Sequence, residues 1–309
     1  MPNYSGVWSL PTHLQAEAAG NWPKPPSYGL WGGNSNNTNV IQYIVIETTG
    51  NSTDFGDLTA NFNYPQAFAS SSRGVWTGGQ DPTNASNVIQ YVTIFSTGNA
   101  TDFGDLVTAR YQHMGCSNST RGLSAGGYGT AFLTSIDYTT IATTGNAVAF
   151  GDLASNYKPA TGGAHASPTR GIFAGGYSAT ANVNIIQYVT IASTGDGTDF
   201  GDLINAGNAV SQASSQTRGV INEQGSAGTL SYITIASTGN ALDFGDLNTN
   251  QTSVGGAVSS SIRGVFGFVN SLNTMHYITI ATTGNSVDFG DLLAGGSGAG
   301  ACSNAHGGL

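Results

Sequence analysis

The chain has 309 residues, enough for two ordinary domains, yet only 8% of them are charged, 45 are glycine, and the formal net charge is −9. Eight basic residues stand against seventeen acidic ones, and Arg73, Arg121, Arg170, Arg218 and Arg263 share one repeated position, so no basic stripe exists for a phosphate backbone and nucleic acid is not an expected partner. No apolar run approaches the roughly 18 residues of a membrane span, and Met1 to Gly20 lacks a charged region followed by an apolar core, so neither membrane insertion nor a secretory signal is expected.

Residues 1–27 match nothing else in the chain and hold Trp8, Trp22 and five of the nine prolines: Pro2, Pro11, Pro23, Pro25 and Pro26. Prolines at this density block helix and ladder hydrogen bonding, which predicts an extended, irregular arm. Its tryptophans need a surface to bury against, either the arm's own domain or a partner. Trp8 and Trp22 are therefore the candidate partner-binding residues.

Residues 28–309 read as one domain of six repeats. The unit Asp-Phe-Gly-Asp-Leu at 102–106 recurs around Phe55, Phe103, Phe150, Phe200, Phe244 and Phe289, at intervals of 48, 47, 50, 44 and 45 residues. That spacing suits one four-stranded propeller blade per repeat. Each repeat runs through four parts. A segment such as Arg121-Gly122-Leu123-Ser124-Ala125-Gly126-Gly127 ends on a glycine pair where the backbone must turn sharply. The first repeat has Tyr28 in place of the arginine, and the fifth and sixth lose the pair at Asn222-Glu223 and Gly267-Phe268, which predicts altered loops there.

Next come β-branched and aromatic runs: 41–46, 89–94, 136–141, 186–191, 230–235 and 275–280. They are apolar on both alternating faces, as a strand in a sheet stacked between two others must be. Tyr43, Tyr91, Tyr138, Tyr188, Tyr232 and Tyr277 hold one position in them, where a phenol can bury its ring and extend its hydroxyl to a partner. Ser-Thr-Gly-Asn turns follow, then the Asp-Phe-Gly-Asp-Leu unit as a short outer strand. Small-residue segments at 112–119, 160–168, 208–216 and 254–261 suit inner strands crowded around an axis. Nothing before Tyr28 resembles such a segment, whereas Cys302-Ser303-Asn304 is one with no repeat after it. The far end of the chain must complete the first blade, which predicts an all-β, six-bladed β-propeller closed by a C-terminal inner strand.

Cys116 and Cys302 occupy the same strand position in non-adjacent repeats, too far apart for the roughly 7 Å Cα separation a disulfide needs, so two buried free thiols are expected. Asp102 and Asp105 could form part of a calcium site, but Ala149 interrupts the pattern in the third copy. Turn capping and pairing with the repeated arginine is the expected role of these aspartates. Asp-Phe-Gly lacks the phosphate loop and the His-Arg-Asp loop of a kinase. His13, His113, His165, His276 and His306 share no metal-ligand spacing, although His113 and His165 fall near one repeat position on inner strands. No catalytic set stands out, so neither a cofactor nor an enzymatic activity is expected.

The succession of glycine pair, tyrosine strand, short aromatic outer strand and basic turn residue resembles the kelch and galactose-oxidase-like propellers over nearly the whole chain. Phe55 and its equivalents stand where kelch repeats usually carry tryptophan. No tyrosine, histidine and cysteine set matches the galactose-oxidase copper site, so that activity does not carry over. The wording of the repeats, as in Tyr188 to Leu203, is similar to repeats in uncharacterised proteins of tailed bacteriophages, notably those of cyanobacteria. That likeness implies a virion location as a tail, baseplate or fibre component, or alternatively a capsid decoration protein. The implied partners are other virion proteins, reached in multiple copies through the arm and the blade loops, and a host-surface glycan or protein. A lectin-like binder outside a virion is the rival from another class, for which Trp31 and Trp76 are the candidate pocket aromatics.

Overall fold

The computed structural model describes residues 25–81, 83–154, 164–177, 180–207, 211–223, 228–247, 255–268 and 272–309. Trp8 and Trp22, with nearly all of the predicted arm, lie outside them. Six four-stranded antiparallel sheets follow one another as the blades of a β-propeller. Blade 3 displays the plan: inner strand Met114–Ser117, second strand Arg121–Ala125, third strand Ser135–Thr140 and outer strand Val148–Asp152, each paired with the next. Blade 2 (66–105) adds a two-stranded hairpin, Gln80–Asp81 with Asn84–Ala85, while blades 4 (164–202), 5 (211–246) and 6 (257–291) keep the plan. Blade 1 takes Tyr28–Gly32, Thr38–Val45 and Thr53–Phe62 from the start of the domain and its inner strand, Gly300–Ser303, from the end, with Leu30 opposite Cys302. The predicted closure is therefore present.

The core lies between blades. Phe103 and Leu106 of blade 2 pack with Ile141 and Ala147 of blade 3 in one buried cluster, and each fully buried aromatic or aliphatic side chain of this kind contributes about 1.5–3 kcal/mol. This contact accounts for third strands that are apolar on both faces. In every blade the third and outer strands shift register by one residue, as at Ile136/Asp137. The extra residue is taken up at the Phe-Gly step. Gly104 there has φ +147°, and a Cβ on it would meet the carbonyl oxygen of Gly145 in the next blade at 2.5 Å.

That close approach serves an inter-blade clasp. Gly145 N donates to Phe103 O (2.8 Å), Ala147 N to Asp105 O (2.8 Å), and Asp105 N to Asn146 Oδ1 (3.1 Å). The same three bonds close the ring from blade 6 to blade 1, through Gly50 N to Phe289 O, Ser52 N to Asp291 O, and Asp291 N to Asn51 Oδ1. At the junction of blades 3 and 4, Asp196 replaces the asparagine.

The repeated arginines do not pair with these aspartates. Arg121 lies over the ring of Tyr138 at 4.6 Å and its Nη1 donates to Ile191 O and Ala192 O of blade 4, and Arg73, Arg170, Arg218 and Arg263 reach the next blade in the same way. A carbonyl edge offers a charge-assisted bond at a fixed place, whereas an exposed aspartate offers little. The tyrosines thus meet a guanidinium across the ring face in place of the expected hydroxyl contact. Tyr28 breaks the series, and Phe95 of blade 2 fills the gap edge-on at 5.7 Å. The glycine after each arginine receives the previous blade's inner strand: a Cβ on Gly171 would lie 2.9 Å from Cys116 Sγ, and one on Gly219 would collide with the His165 ring.

A third tie uses the glutamine before Tyr43, Tyr91 and Tyr188. Gln90 Oε1 accepts from Thr59 N (2.7 Å), Gln187 from Ala154 N (2.9 Å) and Gln42 from Leu293 N (2.7 Å). Blade 5 has Ser231 there, too short to span the gap, and Glu223 reaches in from the altered loop to accept from Ile204 N, Asn205 N and Ser231 Oγ. In blade 6, Phe268 takes up the left-handed turn itself at φ +56° with its ring buried. Both predicted loop alterations are present.

Gly104→Ala should cost about 2–4 kcal/mol, the range of a severe backbone clash, measured by urea denaturation. Deleting residues 298–309 should lower the thermal midpoint by about 10 °C or more, since about 1 kcal/mol moves a domain of this size by a few degrees. An unchanged midpoint would show that the closing strand does not hold the ring.

Candidate functional site

The two ends of the propeller differ in kind. On one face the inner and second strands of blades 2–6 are joined by three residues (70–72, 118–120, 167–169, 215–217, 260–262). On the same face the third and outer strands of all blades are joined by seven (46–52, 94–100, 141–147, 191–197, 235–241, 280–286). These connections carry the clasps and arginine ties and cannot change length without breaking them. On the opposite face, connections range from three residues (63–65) to eleven (153–163), and these loops absorb the scatter in repeat length. Loops on a rigid frame are where binding residues concentrate.

The variable face holds an aromatic series with no counterpart in the other described blades. Tyr111, Tyr128, Phe132 and Tyr177 stand edge to face or tilted along blades 3 and 4, with centroids 5.6, 5.2 and 6.0 Å apart, and all four are half-buried. Tyr128 and Tyr177 each follow a glycine pair directly. Beneath them lies a buried ion pair. Arg110 Nη2 is 2.9 Å from Asp137 Oδ2, and its other donors reach Thr108 O, Gly126 O, Ser135 O and Ser135 Oγ. Burial lowers the Arg110 pKa and raises that of Asp137, while each partner's charge opposes the other's shift. Asp137 occupies the glutamine position of the third tie and accepts from Val107 N and Thr108 N. His113 is buried beside this pair with Nε2 2.8 Å from Thr77 Oγ1, and burial, reinforced by Arg110, holds its pKa well below the usual value. The arrangement orders the loop 107–113 that carries Tyr111. A buried, fully bonded guanidinium has no free edge for chemistry.

The axis offers no room for a substrate. The inner strands leave about 40 Å³, space for a few waters. Ser117 Oγ and Ser303 Oγ bond carbonyls across neighbouring inner strands at 2.7 Å. Residues 304–309 fold over the axis at the constant face. His306 Nε2 lies 2.9 Å from Ala69 O, so that nitrogen carries the proton, and Nδ1 accepts from Gly308 N at 3.1 Å. His165 aligns with Cys116 across the blades and not with His113, as the Gly171 and Gly219 contacts require. Its Nδ1 bonds Gln212 Oε1, Nε2 has no partner, and burial lowers its pKa to about 4. Cys116 and Cys302 are free and buried on blades 3 and 1, and burial pushes the Cys116 thiol up to about 12. A thiol so protonated is not a nucleophile.

Trp31 and Trp76 are fully buried, their indole N–H groups bonding Gly256 O and Gly300 O at the junctions around blade 1. They are seams between blades, not pocket aromatics, which corrects the lectin expectation for these two residues. Among the described residues no three His, Cys, Asp or Glu side chains converge on a possible metal position. No protein-family model matches the chain, and no curated protein matches it in sequence.

The neutral, buried His165 links stability to pH. Its folded pKa is depressed from 6.5 to about 4, so its contribution is complete above 6.5 and is lost as pH falls through that window. The loss should reach about 3 kcal/mol at about 1.4 kcal/mol per pKa unit. Urea midpoints measured from pH 7 to 4 should fall accordingly, and His165→Gln should flatten the decline.

Proposed function

We propose that this protein is a non-enzymatic interaction module of a bacteriophage particle, a tail, baseplate or fibre component that binds assembly partners or a host surface. The observation that carries the interaction role is the division between a face of constant turns and a face of variable loops. A rigid ring that varies on one side only is suited to presenting a binding surface. The likeness of the repeat wording to phage proteins supports the virion assignment. In this reading the arm, with Trp8 and Trp22, anchors the domain, and the loops around Tyr128 and Tyr177 meet the partner. Several copies on one particle would multiply weak contacts into firm attachment.

A glycan-binding role outside a virion is the second reading. The half-buried series from Tyr111 to Tyr177 favours it, since clustered aromatic rings, three of them with hydroxyl ends, suit sugar rings.

Two variants separate anchoring from recognition. Deleting residues 1–27 should reduce incorporation into purified particles by tenfold or more, and normal incorporation would reject the arm as the anchor. Tyr128→Ser with Tyr177→Ser should leave incorporation intact and weaken attachment to the host surface. Unchanged attachment would remove the variable face from recognition.

A further inference from the structure

The constant face carries a second feature that its structural role does not exhaust. Each of Arg73, Arg121, Arg170, Arg218 and Arg263 is stacked on a tyrosine at 4.4–4.7 Å and held at Nη1 by a carbonyl of the next blade. Among the described residues the Nε and Nη2 of all five bond no protein atom, yet none of these atoms is among the buried unpartnered ones. Among the described residues no carboxylate lies within ion-pair distance of any of them, and the one ion pair is that of Arg110. The side of a guanidinium bearing Nε and Nη2 presents two parallel N–H donors matched to a carboxylate. Here that side is fixed in advance by stacking on one face and by bonding at the far nitrogen, so little rotamer entropy is lost on binding.

At the junction of blades 5 and 6 Arg218 lines an open cleft of about 370 Å³ together with Ser215, Gln216, Thr217, Ser261 and Ala281. Its lining is one cation with hydroxyls and an amide, of which Gln216 Nε2 donates to Leu309 O and the Ser215 and Thr217 hydroxyls lie 3.4 Å apart, leaving Ser261 as the unbonded hydroxyl among the described residues. That chemistry fits a small acid bearing several hydroxyl groups: the guanidinium takes the carboxylate and the neutral groups take the hydroxyls. We propose that the arginine clefts of the constant face bind the carboxylates of sugar acids, with up to four sites per ring, because at Arg263 the next blade places Glu47 where the Arg218 junction has Ala281. The sixth junction is excluded because Tyr28 and Phe95 fill it. These clefts lie opposite the variable loops, so their occupancy is independent of partner binding there.

Arginine Nε–H resonances of the isotope-labelled chain, titrated with sodium glucuronate, test this. The sequence has six arginines, and Arg110, whose Nε bonds Thr108 O, is the internal control. Saturable shifts are expected for Arg218 and for Arg73, Arg121 and Arg170, none for Arg110, and none with glucose or with chloride at equal ionic strength. Ser261→Glu places a carboxylate in the cleft from an exposed position and should weaken the Arg218 response at least tenfold while leaving Arg73, Arg121 and Arg170. Polygalacturonate binding more tightly than glucuronate per uronate unit would assign the polymer as the ligand source, and equal affinity would assign the free acid. Shifts that fail to saturate, that appear equally with chloride, or that persist at Arg218 in Ser261→Glu would overturn the proposal.

Discussion

Each outer strand in this propeller is held by the turn of the following blade through two backbone bonds and one side-chain bond, and the rest of the structure accommodates that clasp. It requires a glycine at the Phe-Gly step, because the neighbouring chain passes where a Cβ would be. It requires an Asn or Asp in the turn to meet the aspartate N–H. It also requires a seven-residue connection in every blade, since an added or missing residue would move the turn off the strand. Six such clasps around a closed ring reinforce one another, because no blade can tilt without stretching two of them.

The remaining ties show how far the pattern bends before it is replaced. Where glutamine is absent before the tyrosine, Asp137 takes its place in blade 3 and Arg110 is drawn in to neutralise it. In blade 5, Glu223 does the work that Ser231 is too short to do. Where arginine is absent, a pair of aromatic rings closes the junction. The acceptor or the apolar contact is conserved in space while its donor residue changes, which is what a buried polar group demands when its partner is lost.

The axis is narrowed to space for a few waters and covered by residues 304–309. The interior's histidines are kept neutral and its thiols protonated by burial. The two faces differ in kind: one is varied by its loops, and the other carries stacked guanidinium groups at five of its six junctions.

The repeated Phe, Tyr, Gly and Arg positions determined the number of blades, the order of strands and the closure by the last strand, because burial between stacked sheets imposes the same residue types at the same spacing each time. Local pattern could not decide which groups bond across blades. The partner of Arg121 is a carbonyl 70 residues away, and nothing in the composition near either end separates that carbonyl from an aspartate. The burial of Trp31 and Trp76 was hidden for the same reason: their surroundings come from blades at opposite ends of the chain. The aromatic series of Tyr111, Tyr128, Phe132 and Tyr177 left only a faint trace, a tyrosine after two of the glycine pairs. Those rings meet because two loops of different blades converge, and such convergence is a property of the closed ring.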